Sequence, residues 1–189
     1  MDFNDDIERC LKVLNEGGLI LYPTDTIWGI GCDATNVQAV QKLFALKQRP
    51  EKKSMIILLS DQRDILKYIS QPDPHIADYL NSVTKPTTVI YEGAIGLAEN
   101  LVNEDGSIAI RLVKEPFCKH LIKRFRKPVV STSANISGQA SPRFFDEVTE
   151  DIKKNVDYVV LYRQDEQELH EPSAVVKWNR DGTVMVIRS

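Results

Sequence analysis

LILYPTDTIWGIGCDA, residues 19–34, passes from an apolar run to small polar residues within six positions. The first half reads as a buried strand that runs into a turn marked by Pro23. Strand ends in open α/β sheets are where ligands collect. Thr24, Asp25 and Thr26 offer two hydroxyls and a carboxylate there, and Gly29 and Gly31 permit close backbone approach. A turn that uses Asp and Gly for its own hydrogen bonds accounts for the same residues. Taken alone, the stretch reads as that turn.

Working outward, apolar runs alternate with helical periodicity. Asn4 or Asp5 can cap a first helix carrying Ile7, Cys10, Leu11 and Leu14 on one face, with Gly17-Gly18 at its end. Asn36 can cap a second helix with Val37, Val40, Leu43 and Phe44 inward, ending near Lys47. MIILLS (55–60), TTVIY (87–91), SIAIRL (107–112) and PVVSTS (128–133) read as strands, DQRDILKYI (61–69) and PFCKHLIKRF (116–125) as helices. The tail adds three strand-like runs, DYVVLY, SAVVKW and TVMVIR, with short connections between them. This order predicts one α/β domain over 1–189, built on a mixed sheet.

Bulk properties exclude several classes. The chain has 189 residues and a formal net charge of -3, which argues against a broad basic face that coats nucleic acid. No apolar run approaches the roughly 20 residues that cross a bilayer, so no membrane role is expected. The acidic N-terminus lacks the pattern of a signal peptide. Cys10, Cys32 and Cys118 stand far apart, as expected of reduced thiols in a cytoplasmic protein. The three histidines are equally scattered, without metal-ligand spacing. GxGxxG, Walker A, GxSxG and HExxH patterns are missing.

Three further stretches carry chemistry. STSANISGQASP (131–142) follows a buried strand and exposes backbone N–H groups and hydroxyls, which suits an anion. Arg111 ends an apolar strand, where its fork needs either a carboxylate or phosphate ligand or a structural ion-pair partner. KQRPEKK (47–53) packs four cations and one acid into seven residues. Lys47 and Arg49 favour a helix C-terminus through its dipole, but that accounts for one or two cations, not four. As residues at a helix end, Lys47 and Arg49 are expected to lie outside the core.

These pieces, in this order, resemble the YrdC-like family of L-threonylcarbamoyladenylate synthases, from about Gly17 to Arg188. The resemblance implies an α/β fold with a twisted open mixed sheet and flanking helices around a concave cavity. It implies formation of threonylcarbamoyl-AMP and pyrophosphate from L-threonine, bicarbonate and ATP, with Mg²⁺ accompanying ATP and no dedicated protein metal site. A partner protein complex would then transfer the threonylcarbamoyl group to adenosine beside the anticodon of tRNA, itself a candidate partner. By motif position, Thr26, Arg111, Ser131 and Ser173 would contact threonine. Lys47, Arg49, Lys53, Ser107, Ser133, Asn135, Ser141 and Arg188 would surround the nucleotide, with Lys47 and Arg49 serving catalysis as a polyphosphate clamp. The chain departs from the family pattern at Lys53, Leu58 and Ala174. The competing reading is a non-catalytic module of the same fold that grips tRNA or double-stranded RNA through Lys47, Arg49, Lys52 and Lys53.

Overall fold

The computed structural model describes residues 2–48, 55–179 and 181–189. Arg49, Lys52 and Lys53 therefore lie outside the described residues. Nine strands form one sheet in the order β7-β1-β2-β6-β3-β5-β4-β8-β9. They are β1 Ile20–Tyr22, β2 Gly29–Gly31, β3 Ile56–Leu59, β4 Thr87–Tyr91, β5 Ile108–Leu112, β6 Val129–Ser133, β7 Tyr158–Val159, β8 Ala174–Trp178 and β9 Val184–Arg188. The β1–β7, β3–β5 and β4–β8 pairs are parallel and the other five antiparallel, so the sheet is mixed, as expected.

The helices are α1 Asn4–Asn15, α2 Val37–Leu46, α3 Ile65–Tyr68, α4 Ile76–Ser82, α5 Pro116–Phe125 and α6 Glu150–Asn155. Ile7, Cys10 and Leu14 on α1, and Phe117, Leu121 and Phe125 on α5, are buried at the spacing of one helical face. Asn36 caps α2, its side chain accepting from Ala39 N at 3.1 Å. The expected cap of α1 differs. Its N-cap position is Phe3, without a side-chain bond, because Asn4 and Asp5 are already inside the helix. The three free cysteines are buried.

Two features escape the sequence pattern. β2 is only Gly-Ile-Gly, short of any periodicity, yet it bridges β1 and β6. Gly31 is required for that contact, since a Cβ there would lie 2.5 Å from the Val130 carbonyl and 2.7 Å from the Tyr22 ring. The tail connections are also not uniformly short. β7 lies at one edge of the sheet and β8 beside the other edge strand, so residues 160–173 cross the whole sheet. Asp6 on α1 holds the start of this crossing, accepting from Tyr158 Oη at 2.5 Å, Leu161 N at 3.0 Å and Tyr162 N at 3.0 Å.

Gly31→Ala should therefore destabilise the protein by about 2–3 kcal/mol, because backbone must shift to admit the methyl group. Chemical denaturation checks this, and an unchanged midpoint would remove the close-packing account of β2.

Candidate active site

The crossing segment roofs a cavity of about 700 Å³ over one face of the sheet. Strand register brings its floor together. Arg111 on β5 pairs with Thr88 on β4 and Leu58 on β3, while Ser131 on β6 pairs with Ile56 on β3. Thr24 and Thr26 enter from the β1–β2 turn, Ser141 and Arg143 from the loop after β6, and His170 to Ser173 from the crossing. Arg188 closes the far wall from β9.

One end is a cluster of hydroxyls around a guanidinium. Thr24 Oγ1 donates to the Ile27 carbonyl at 2.8 Å, receives Thr26 N at 3.1 Å and lies 3.0 Å from Thr26 Oγ1. Thr88 Oγ1 and Ser173 Oγ lie 2.9 Å apart. Arg111 is 3% exposed, with Nη2 3.0 Å from Asp25 Oδ1. The contact is one of charge more than of direction, since both Asp25 oxygens and Arg111 Nε lack a well-aligned hydrogen bond. Arg111 thus has the ion-pair partner that the structural reading required, and it still lines the cavity.

The other end is set by Lys47. Far from lying outside the core, Lys47 is 1% exposed, and its ammonium donates to the carbonyls of Ser133 at 2.5 Å and Asn135 at 2.6 Å. Its own carbonyl accepts from Ser137 N at 2.9 Å. The expectation failed because a helix C-cap facing another loop is not a free end. The neighbouring polar chain continues this closure. Ser133 Oγ donates to Asn135 Oδ1 at 2.5 Å, and Asn135 Nδ2 donates to the Gln139 carbonyl at 2.7 Å. Arg188 donates from Nε at 3.1 Å and Nη2 at 2.8 Å to the Ser173 carbonyl.

Of the residues singled out in the sequence, Thr26, Arg111, Ser131, Ser133, Ser141, Ser173 and Arg188 share the cavity wall. Lys47, at the end of α2, and Asn135, in the loop after β6, are buried and outside the wall. Ser107 is outside the wall, its hydroxyl donating to Asp105 Oδ1 at 2.6 Å and accepting from Asn103. Leu58 is fully buried and contributes no polar group. Thr88, Arg143 and His170 went unrecognised. Thr88 could have been found as the cross-strand neighbour of Arg111, but nothing local marks the other two.

Arg163 ties the roof to the turn. It donates to the Thr24 carbonyl at 3.1 Å, pairs with Glu166 and reaches Glu115 at 3.6 Å. Burial pushes the Glu115 carboxyl up, against the pull of the Cys118 and Phe117 N–H groups and Arg163. Glu166, Glu168 and His170 bring ligand atoms within 4.8 Å of one another, but the Arg163 cation already occupies Glu166.

A family model described as "Telomere recombination", Sua5/YciO/YrdC, matches residues 12–189. A threonylcarbamoyl-AMP synthase of Pseudoalteromonas translucida is 34% identical over 163 residues, 85% of this chain and 87% of that protein. One of Vibrio campbellii is 32% identical over 173 residues, 90% and 92% of the two chains. Among solved structures, P. abyssi Sua5 complexed with L-threonine superposes with a TM-score of 0.84 at 21% identity. That match covers 96% of this chain and 53% of the P. abyssi chain, so the present chain spans about half of that protein. E. coli YciO gives 0.83 at 21% identity over 98% and 89% of the chains. At these identities the structures establish the shared fold.

Lys47→Met keeps most of the side-chain volume but removes two charge-assisted hydrogen bonds to carbonyls. It should cost about 3 kcal/mol of stability, read by denaturant unfolding. A fully stable Lys47→Met protein would mean that the loop after β6 holds itself without the ammonium.

Proposed function

The chain belongs to the Sua5/YciO/YrdC family, and on that footing we propose that its cavity condenses L-threonine, bicarbonate and ATP into threonylcarbamoyl-AMP. The observation that carries this reading is Arg111, a nearly fully buried guanidinium in the cavity wall beside the hydroxyls of Thr26, Thr88, Ser131 and Ser173. A planar cation among small hydroxyls is what a hydroxy amino acid requires, with its carboxylate on the fork and its hydroxyl on a neighbouring donor.

The reaction then follows from placement. The threonine nitrogen, unprotonated, attacks the carbon of bicarbonate or of carbon dioxide derived from it, and the new C–N bond gives a carbamate with loss of water. A carbamate oxygen attacks the α-phosphorus of ATP, forming the P–O bond of the mixed anhydride as the bond to pyrophosphate breaks. The class is nucleotidyl transfer. Two anions must meet, so the protein's contribution is position and positive charge, and no nucleophilic side chain is needed.

Arg143 and Arg188, with Ser133 and Ser141, supply cations and donors at the nucleotide end. Lys47 acts there as a positioning residue, through the loop carbonyls it holds. Arg49 and Lys53 complete the proposed phosphate contacts. Ser107 receives no role. Mg²⁺ would arrive on ATP, because the cavity wall offers hydroxyls and cations with the exposed Glu171 as its carboxylate. Transfer to tRNA by a partner complex is the use proposed for the product.

Pyrophosphate release from ATP, with threonine and bicarbonate omitted in turn, tests the reading. Release should require both, and equal release without threonine would sink it. Arg111→Lys should raise the threonine KM at least tenfold while ATP binding without threonine stays unchanged, since an ammonium cannot form the bidentate contact. Arg111→Ala should also lower the melting temperature, by stranding the buried Asp25 carboxylate. Unchanged threonine affinity in both variants would move threonine recognition elsewhere.

A further inference from the structure

Arg163 lines a crevice beside the cavity, not the cavity itself, and the two share Thr24, Thr26 and His170. Its Nε and Nη2 groups donate to Glu166 Oε2, the first at 2.7 Å, and Nη2 lies 3.2 Å from His170 Nε2. Nη1 donates to the Thr24 carbonyl at 3.1 Å and lies 3.6 Å from Glu115 Oε1. One guanidinium therefore joins the crossing segment, the β1–β2 turn and the junction of β5 with α5. A planar fork with several fixed donors can span three directions at once.

The anchoring groups are themselves held. Glu115 is 7% exposed, and its Oε2 accepts from Cys118 N at 2.7 Å at the start of α5. Its Oε1 has no aligned hydrogen bond, so Arg163 supplies the countercharge it needs. The backbone of Arg163 has φ 65, a conformation that glycine adopts more readily than arginine. A strained position carrying so connected a side chain points to a role for that side chain.

The carbonyl that Arg163 holds belongs to the peptide unit joining Thr24 to Asp25. On one side of that unit, Asp25 Oδ1 lies 3.0 Å from Arg111 Nη2. On the other, Thr24 Oγ1 receives Thr26 N at 3.1 Å and lies 3.0 Å from Thr26 Oγ1. Rotation of this single peptide plane displaces the countercharge of Arg111 and the hydroxyl of Thr26 together. The Asp25–Arg111 contact is poorly directed, so it does not fix the plane by itself.

We propose that Arg163 is a positioning residue of the threonine end. By holding the Thr24–Asp25 peptide, it sets the Arg111 guanidinium and the Thr26 hydroxyl at the separation that a hydroxy amino acid requires, without touching the ligand. Identifying the ligand as threonine rests on the proposed function; the tether rests on the distances alone. Because the crossing segment carries Arg163, threonine affinity depends on how that segment is seated.

The test uses Arg163→Gly and Arg163→Asn, both of which suit φ 65 and are too short to reach Thr24. Both leave Glu115 without its cation and should melt at lower temperature, so the kinetic split decides, not stability. Threonine and ATP are each titrated in the pyrophosphate-release assay, and the Asp25 and Thr26 amide NMR signals are followed without ligands. Each variant should raise the threonine KM about tenfold and leave kcat and the ATP KM within about twofold, as loss of uniform binding does. The Asp25 amide signal should shift, since its N–H shares the peptide whose carbonyl loses a donor. A fall in kcat with the threonine KM unchanged would give Arg163 a merely structural role and overturn the proposal. Unshifted Asp25 and Thr26 signals would also overturn it, by showing that the turn holds itself. Pyrophosphate release without threonine in the unaltered protein would instead fall on the proposed function, and the amide signals would still decide whether Arg163 holds the turn.

Discussion

The cavity exists because the chain must travel from β7, at one edge of the sheet, to β8, next to the other. Seven strand spacings separate them, about 34 Å at about 4.8 Å each. The fourteen residues from 160 to 173 reach at most about 50 Å when extended, at about 3.6 Å per residue. The segment contains a turn at 162–165 and no helix, and it lies across the sheet as a strap. Asp6 fixes one end of the strap by its backbone, Arg163 fixes the next part to Thr24, and Ser173 is held by Arg188 and Thr88. Its last residues thereby become a wall of the site.

This dependence explains what could be read from the sequence and what could not. Eight of the nine strands were legible, because each sits in an apolar run bounded by polar or turn residues. β2 was not, since Gly-Ile-Gly has no pattern and becomes a strand only between β1 and β6. α4 and α6 were also missed, being short and each burying one side chain, Ile76 and Ile152. Most of the hydroxyl and guanidinium wall could be named because strand ends and small-residue loops are local signals. Arg143 and His170 reach the cavity only through the course of the loop after β6 and of the strap. No window of sequence contains that course.

Lys47 illustrates the limit in the opposite direction. A cation at a helix C-terminus has a sufficient local explanation in the helix dipole, and that explanation predicts exposure. The tertiary structure instead presents the loop after β6 to the end of α2, and two carbonyls converge on the ammonium. Desolvating a lysine is costly unless such acceptors are in place. The same contacts that make the burial tolerable also fix the backbone of residues 133–137. A charge expected at an exposed helix end is thus buried against the loop after β6.

Arg111 has the ion-pair partner of one sequence reading and lines the cavity, where the proposed function gives it the ligand role of the other. Burying a guanidinium beside the carboxylate of Asp25 gives little net stability, because the desolvation of both charges offsets most of their attraction. What it gives is placement: the side chain is held at a fixed depth in the wall before any ligand arrives. The ion contact is imperfectly directed, leaving Nε and both carboxylate oxygens without aligned partners. A pair satisfied on every side would have no donor left for an incoming carboxylate, whereas a lone buried arginine would lack a countercharge. The incomplete pairing meets both demands. Its cost falls on the stability of the fold; in the proposed function, the gain is a cation positioned for the threonine carboxylate.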